Sequence, residues 1–192
     1  MFRAVSFLLL IFVQISCGNQ DYSPKPRGYH RIILPEKQFS QASPTGCPYS
    51  FEIPQYSKLV KDEESNAQPC WKNLDFPNFN AKLHLSYFEI NKNATLNALT
   101  EDARAFVFKH SPKATAIDQQ KITQPQQDVY GLSYTIQGNT ASNFQFYVTD
   151  NKKHYLRGAL YFYEKPNMDS IQPVLEFVKS DIQHLITTIR WK

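Results

Sequence analysis

The last part of the chain carries the most regular pattern of hydrophobic and polar positions. Its apolar residues recur at helical spacing and form one stripe over about five turns, at Ile171, Val174, Leu175, Val178, Ile182, Leu185, Ile186 and Ile189. This stripe predicts a long amphipathic helix. A second, shorter set has the same spacing, at Leu96, Leu99, Ala103, Phe106, Val107 and His110. It predicts a helix that Asn93 or Thr95 caps and that ends after Ser111, since Pro112 follows.

Segments of alternating polarity lie before and between these helices. Leu83, Leu85 and Tyr87 alternate with polar residues over residues 82–90, which is typical of a half-buried strand. Three more strands, joined by short turns, are predicted at residues 128–136, 142–149 and 154–163. Short hairpin connections favour an antiparallel sheet. The predicted fold class is therefore α+β, a mainly antiparallel sheet flanked by two helices.

The N-terminal part of the chain is rich in proline. Eight of the twelve prolines lie between Pro24 and Pro77, and proline within a sheet is confined to edges and bulges. We therefore expect an irregular N-terminal part with short strands at residues 29–34 and 49–53. Residues 28–192 are long enough to form one domain with a sizeable core.

Each predicted strand also has a second face of mixed polarity. Its residues are His84 and Ser86, Ser133 and Thr135, Gln145 and Tyr147, and, on the last strand, Tyr155, Arg157, Tyr161 and Tyr163. The first helix or the proline-rich part would cover this face in one interpretation. In the other, the face is a partly open surface, and Tyr155, Arg157, Tyr161 and Tyr163 are candidate interaction residues, because Tyr and Arg are enriched at interface hot spots. Arg157 is then an anchor for a partner, or else a structural residue paired with Asp102 or Glu101.

The first residues have the pattern of an export signal. Arg3 precedes a short apolar run, and the small Ser16 precedes Cys17. The run is shorter than the about 20 apolar residues that span a bilayer. In bacterial lipoproteins a cysteine at this place carries a diacylglycerol, whose acyl chains, palmitate among them, hold the protein at a membrane. We predict a signal peptide at residues 1–16 and a lipidated Cys17 with a tether at residues 17–27; the alternative is a cleaved exoprotein with a free cysteine.

Cys47 and Cys70 remain if Cys17 carries lipid. An even number of cysteines in an exported protein favours a disulfide. The bridge would close a loop of about 24 residues and contribute about 3–4 kcal/mol in the loop-entropy model. Two buried free thiols are the alternative, because the sequence gives no distance between them.

Charge and composition argue against two classes of function. Without residues 1–16 the chain has 20 basic and 17 acidic residues, a formal net charge of +3, since only Arg3 is removed. No Lys/Arg cluster exceeds two adjacent residues, so nucleic acid is not expected as a partner. The five histidines lack metal-type spacing, and no catalytic motif or phosphate-binding glycine loop is present. We expect no enzyme activity, no catalytic residue, no metal and no cofactor.

Several short motifs follow one another along the chain. They are Pro24-Lys25-Pro26-Arg27-Gly28-Tyr29, Cys47-Pro48-Tyr49-Ser50-Phe51-Glu52, Cys70-Trp71, Glu101-Asp102-Ala103-Arg104, Leu156-Arg157-Gly158-Ala159-Leu160-Tyr161-Phe162 and Pro166-Asn167-Met168-Asp169-Ser170. In this order they resemble the GldD family of gliding-motility-associated lipoproteins over nearly the whole mature chain. The order of strands and helices also resembles, more loosely, the PsbP-like fold.

The family resemblance implies an envelope lipoprotein of gliding bacteria that is needed for surface motility and is linked to the type IX secretion apparatus. It brings no catalytic residues. We expect a non-enzymatic accessory or assembly factor of that machinery, lipid-anchored and facing the periplasm, at the outer rather than the inner membrane. Its expected partners are the membrane, through the lipid anchor, and envelope proteins of the gliding and secretion machinery. The alternative is a ligand-binding envelope lipoprotein with a pocket lined by tyrosines and Arg157.

Overall fold

Ten strands and two α-helices build the part of the chain that the computed structural model describes, which is residues 32–109, 111–163 and 168–192 without the side chains of Ser111 and Asp169. The strands are β1 (Phe39–Ala42), β2 (Tyr49–Pro54), β3 (Lys58–Lys61), β4 (Lys72–Phe76), β5 (Ala81–Glu89), β6 (Ala116–Gln124), β7 (Val129–Gln137), β8 (Phe144–Thr149), β9 (His154–Phe162) and β10 (Arg190–Trp191). The helices are α1 (Leu96–Phe108) and α2 (Met168–Thr188). The predicted signal peptide, Cys17 and the tether lie outside these residues.

The strands form two antiparallel sheets. The large sheet has the order β3-β4-β5-β9-β8-β7-β6, and the small one has the order β1-β2-β10. Most neighbouring strands in the large sheet are also consecutive in the sequence. The exception is β9, which pairs with β5 although the two strands are far apart in the sequence. The α+β class predicted from the sequence is confirmed. Within the described residues, neither helix is long and apolar enough to cross a bilayer.

The main core is built by the large sheet, α2 and the small sheet, which contributes the buried Tyr49 and Phe51. Cross-strand pairing brings Leu85, Gly158 and Phe146 of β5, β9 and β8 into one row on this side. The apolar stripe of α2 covers the row, as the sequence predicts, and its buried members are Leu175, Val178, Ile182, Leu185 and Ile186. Burying each such side chain contributes about 1.5–3 kcal/mol, so this layer holds most of the fold together.

Helix α1 covers part of the opposite face of the large sheet. Thr95 caps it, because its Oγ1 accepts a main-chain N–H of the first turn at 3.3 Å. The buried residues of α1 fall at a spacing of four, at Leu99, Ala103 and Val107. Val107 packs with Tyr134 and Ile136 of β7 in a second, smaller apolar cluster. The helix ends at Phe108, earlier than predicted.

The register corrects the predicted face of Ser133 and Thr135. Ser133 lies opposite Phe146, which belongs to the main core, so both residues lie on the α2 side and not on the face of mixed polarity. The reason is that β7 is apolar on both faces, with Val129 in the main core and Tyr134 in the α1 cluster. Alternation alone does not tell which of two apolar faces belongs to the main core.

The N-terminal part is more regular than predicted. β2 confirms the strand expected at residues 49–53, whereas residues 32–34 lie in no strand, and residues 29–31 are outside the described residues. No sequence pattern predicts β3, β4 or β6. β6 is exposed along most of its length, so it lacks the apolar alternation that indicates a strand.

Candidate functional site

The four candidate interaction residues come from β9 and the residue that follows it. Alternation along β9 puts Tyr155, Arg157 and Tyr161 on the face that α1 partly covers, and Tyr163 lies just beyond the end of the strand. They differ in burial. Arg157 and Tyr161 are half-buried, whereas Tyr163 is 58% exposed, and its ring centroid lies 5.6 Å from the Lys82 ammonium.

Tyr155 is a core residue. It is 1% exposed, and its hydroxyl donates to the main-chain oxygen of Leu99 in α1 at 2.9 Å. Its ring stacks on Tyr147, with the two centroids 5.4 Å apart. Helix α1 therefore covers this end of the face. Tyr155 is not accessible to a partner in the described structure, which corrects its prediction as a candidate interaction residue.

Arg157 lies against α1 without a carboxylate partner. Its guanidinium carbon is 4.1 Å from the ring centroid of Phe106, a cation–π contact. Among the described residues, no Asp or Glu forms an ion pair with Arg157, so the alternative of a structural pair with Asp102 or Glu101 is not realised. Burial lowers the pKa of the Arg157 guanidinium. The charge is thus partly removed from water, and Asp102 stabilises it from a distance without forming an ion pair.

An open cleft of about 270 Å³ lies beside Arg157. Its floor is low because two small residues stand in the middle of the sheet face, Ser86 opposite Arg157 and Ala159 opposite His84. Tyr161 also lines the cleft, and its ring meets the His84 ring edge-on at 5.5 Å. Burial lowers the pKa of His84 below its ordinary value, so this ring is neutral at pH 7.

The opposite wall of the cleft is acidic. It comes from the connection between β3 and β4 and carries Asp62, Glu64 and Trp71. Asp62 is 6% exposed, and its Oδ1 accepts the N–H of Glu64 at 3.1 Å, which fixes the turn. The indole N–H of Trp71 donates to the main-chain oxygen of Tyr87 at 2.9 Å. The cleft therefore has a cation on one wall and carboxylates on the other.

A disulfide holds the acidic wall in place. Cys47 and Cys70 are bonded, with their Cα atoms 5.4 Å apart, so the predicted bridge is present. Cys70 directly precedes Trp71, and Cys47 lies just before β2 in the small sheet. The bridge thus joins the irregular connection to a regular part of the fold. It limits the movement of the end of this connection that carries Trp71.

The sequence patterns do not predict the acidic wall of the cleft or the contact of Arg157 with the Phe106 ring. Asp62 and Glu64 lie in a segment without periodicity, and Trp71 is marked only by the neighbouring cysteine. Phe106 fits the apolar spacing of the first helix, yet it is 46% exposed and contacts Arg157. Its position at the edge of the helix stripe is the one signal that could have indicated this contact.

The wall of the cleft that carries Arg157 is suited to binding an anionic group. A guanidinium can bind a carboxylate or a phosphate through two parallel N–H···O bonds. Among the described residues, no group of three His, Cys, Asp or Glu side chains could hold a metal ion. Of the predicted site residues, Arg157 and Tyr161 meet in the cleft, Tyr163 lies outside it, and Cys17 is outside the described residues.

The comparison with protein families decides the classification. The model of the family described as gliding motility lipoprotein GldD matches residues 19–191, most of the chain. The chain belongs to the GldD family. The resemblance seen in the sequence motifs is confirmed, and this family member is a motility-related lipoprotein associated with the cell envelope. The matched span begins after Cys17, so lipidation of this residue stays a prediction.

A solved structure with a similar fold is known. It is the solution structure of cyanobacterial PsbP (CyanoP) from Synechocystis sp. PCC 6803, with a TM-score of 0.50 and 16% sequence identity, over 85% of this chain and 98% of that chain. At this identity the likeness shows the fold alone, and it confirms the predicted PsbP-like arrangement. No curated protein matches the chain.

Proposed function

We propose that this GldD-family member is a non-enzymatic, lipid-anchored accessory or assembly factor of the gliding-motility and type IX secretion machinery. Cys17 carries the lipid, residues 17–27 tether the domain, and the domain faces the periplasm at the outer membrane. It docks on an envelope protein through the cleft beside Arg157. Family membership supports the motility role, and the chemistry of the cleft supports docking.

The docking proposal rests on one observation, which is that Arg157 is partly buried and forms no ion pair within the described residues. A half-buried cation without an ion-pair partner gives up hydration, and the contact with Phe106 and the more distant charge of Asp102 offset this only in part, since the pKa of Arg157 is lowered. A carboxylate of a partner protein can compensate for this, since a hydrogen bond to a charged group contributes about 1.5–3 kcal/mol. Arginine is one of the residue types enriched at the centres of such interfaces.

The acidic wall adds a requirement on the partner. Asp62 and Glu64 face the same cleft, and like charges brought together across an interface disfavour binding. A purely acidic segment is therefore a poor fit. The cleft suits a partner loop in which an acidic side chain, for Arg157, lies close to a basic one, for Asp62 and Glu64.

Replacing Arg157 with methionine tests this proposal, because methionine keeps much of the length of the side chain but carries no charge. We expect the Arg157→Met protein to fold with an unchanged or slightly raised melting midpoint, since an unpaired, partly buried charge is removed. Colony spreading should fall to the level of cells without the protein. Arg157→Lys should not restore it, because an ammonium cannot make the paired bonds of a guanidinium.

Arg104→Met is the matched control. The guanidinium carbon of Arg104 also lies over a phenylalanine, 5.6 Å from the ring of Phe108, but Arg104 does not line the cleft. This variant should spread normally. Normal spreading of a stable and normally abundant Arg157→Met strain contradicts the proposal, and so does loss of the folded protein in that variant.

Binding of a small ligand in the same cleft is the second candidate function. Arg157, Tyr161 and His84 provide the polar and aromatic groups that such a pocket needs. The cleft is open, however, and its volume of about 270 Å³ lies below the roughly 300–1,000 Å³ of ligand pockets. Docking is therefore favoured. Native mass spectrometry of protein isolated from its own envelope separates the two, because a retained small molecule that Arg157→Met loses would support the pocket.

A further inference from the structure

β6 is a long and regular strand at the edge of the large sheet. It has nine residues, and each of them pairs with a residue of β7, from Ala116 opposite Gln137 to Gln124 opposite Val129. The strand contains no proline, and its pairing has no bulge. In the described part of the chain, no strand pairs with its outer side.

Half of the main-chain hydrogen-bonding groups of β6 point away from the sheet. The N–H of Ile136 donates toward β8, so the even-numbered residues of β7 face β8 and the odd-numbered ones face β6. By the register, the even-numbered residues of β6 then bond to β7. The residues whose N–H and C=O groups point outward are Ile117, Gln119, Lys121 and Thr123.

The other edge of the large sheet is protected against pairing, and β6 is not. β3 has four residues and a lysine at each end, and both short length and lysine discourage the addition of another strand. β6 carries a single Asp and a single Lys, and the carboxylate of Asp118 is engaged by the Gln137 amide at 2.7 Å. A long, regular edge of this kind is a template for a further strand.

An open groove lies beside β6 on each face of the sheet. The groove on the α2 side has a volume of about 700 Å³ and polar walls that include Glu176 and Lys179. The groove on the α1 side has a volume of about 580 Å³, and Leu132 and Tyr147 line it beside Lys121. Side chains alternate between the two faces of a strand, so those of an added strand would enter the two grooves in turn.

We propose that β6 receives an extended segment of a partner protein as an eighth strand of the large sheet. Main-chain hydrogen bonds to the outward groups of β6 supply the affinity, and the two grooves select the side chains, which is how strand addition works in general. The segment presents polar side chains to the α2 side and apolar ones to the α1 side. This site is separate from the cleft beside Arg157 and does not depend on it.

Photo-cross-linking from the two ends of β6 tests this proposal with the full chain in living cells. A photoreactive amino acid replaces Ile117 in one strain and Thr123 in another, because both side chains lie on the α1 side. We expect both positions to label one segment of one envelope protein, at sites about six residues apart, since paired strands advance by the same rise per residue.

A pair of substitutions at Gln119 separates main-chain pairing from other contacts. Gln119→Pro removes an outward N–H, whereas Gln119→Ala removes only the side chain beyond Cβ. Labelling from Thr123 should disappear in the proline variant and persist in the alanine variant. The melting midpoint of Gln119→Pro should stay close to that of the wild type, because proline is tolerated on edge strands where its nitrogen faces solvent.

Each other result overturns the proposal. These results are labelling of a second copy of this chain, labelling of scattered sites, no labelling, or labelling that both Gln119 variants keep. If Gln119→Pro does not fold, the proposal is judged by the spacing of the two labelled sites alone, which should be about six residues. A negative result here leaves the Arg157 test unaffected, because the two sites share no residue.

Discussion

At the scale of single residues, Asp150 fixes the hairpin that leads into β9 and so positions Arg157. Its Oδ1 accepts the N–H groups of Lys152, Lys153 and His154 at 2.9, 2.8 and 2.8 Å. Burial raises the pKa of the Asp150 carboxyl, but these main-chain bonds lower it more, so its pKa lies below its ordinary value. The ionised carboxylate is therefore part of the folded state.

Asp150→Asn should destabilise the protein by about 1–2 kcal/mol at pH 7, because hydrogen bonds to a carboxylate are stronger than those to an amide. A lowered folded-state pKa contributes stability that is complete above the unfolded-state pKa of about 3.9 and is lost as the pH falls through the folded-state pKa. The difference in unfolding free energy between wild type and variant should therefore persist from pH 7 to about pH 5 and shrink at lower pH.

Urea titrations of both proteins across this pH range measure the difference. Glu63→Gln is the control, because Glu63 is an exposed carboxylate, and it should change the unfolding free energy little at any pH. An Asp150→Asn difference of the same size at pH 3 as at pH 7 would show that the charge of Asp150 is not what stabilises the turn.

At the scale of elements, α2 is the main support of the sheet. Leu185 is fully buried in its apolar stripe. Leu185→Asp puts a charge without a partner into the core, so we expect the free energy of unfolding to fall by about 3–5 kcal/mol. In most conditions the protein should then not fold. Gln183→Asp is the control, since Gln183 lies on the exposed side of the same helix. Thermal melting distinguishes the two, and equal midpoints would contradict the assigned orientation of α2.

The sequence predicts some elements better than others. The reason is that the two faces of an element differ more in polarity in some elements than in others. α2 and β9 each have one strongly apolar face, so their periods of 3.6 and 2 are visible in the sequence. β6 has an exposed outer edge and little apolar contrast, so no period marks it. The sequence could not predict on which face of the sheet Ser133 lies, because β7 has buried apolar residues on both faces.

The candidate site divides in the same way. Arg157 and Tyr161 could be predicted, because they lie on a strand whose alternation is clear. The acidic wall with Asp62 and the contact of Phe106 depend on which segments meet in three dimensions, and local pattern carries no information on that. The burial of Tyr155 has the same origin, since α1 covers the face at Tyr155 and leaves the cleft at Tyr161 open.

At the scale of the whole molecule, the proposed lipid on Cys17 decides where the domain works. Cys17→Ser removes the thiol that would carry the acyl chains, so the protein should lose its acyl mass and leave the membrane fraction. Intact-mass spectrometry and membrane fractionation measure the two effects. A substituted protein that stays with the membrane after a high-salt wash would show that lipid is not the anchor.

The most direct test of the docking account is photo-cross-linking from Tyr161 in living cells, because this side chain lines the cleft beside Arg157. We expect one envelope protein to be labelled at a segment with an acidic residue, Arg157→Met to abolish the labelling, and Arg104→Met to leave it unchanged. Labelling that survives Arg157→Met in a folded, normally abundant protein would contradict the docking account, as would the absence of any labelled protein.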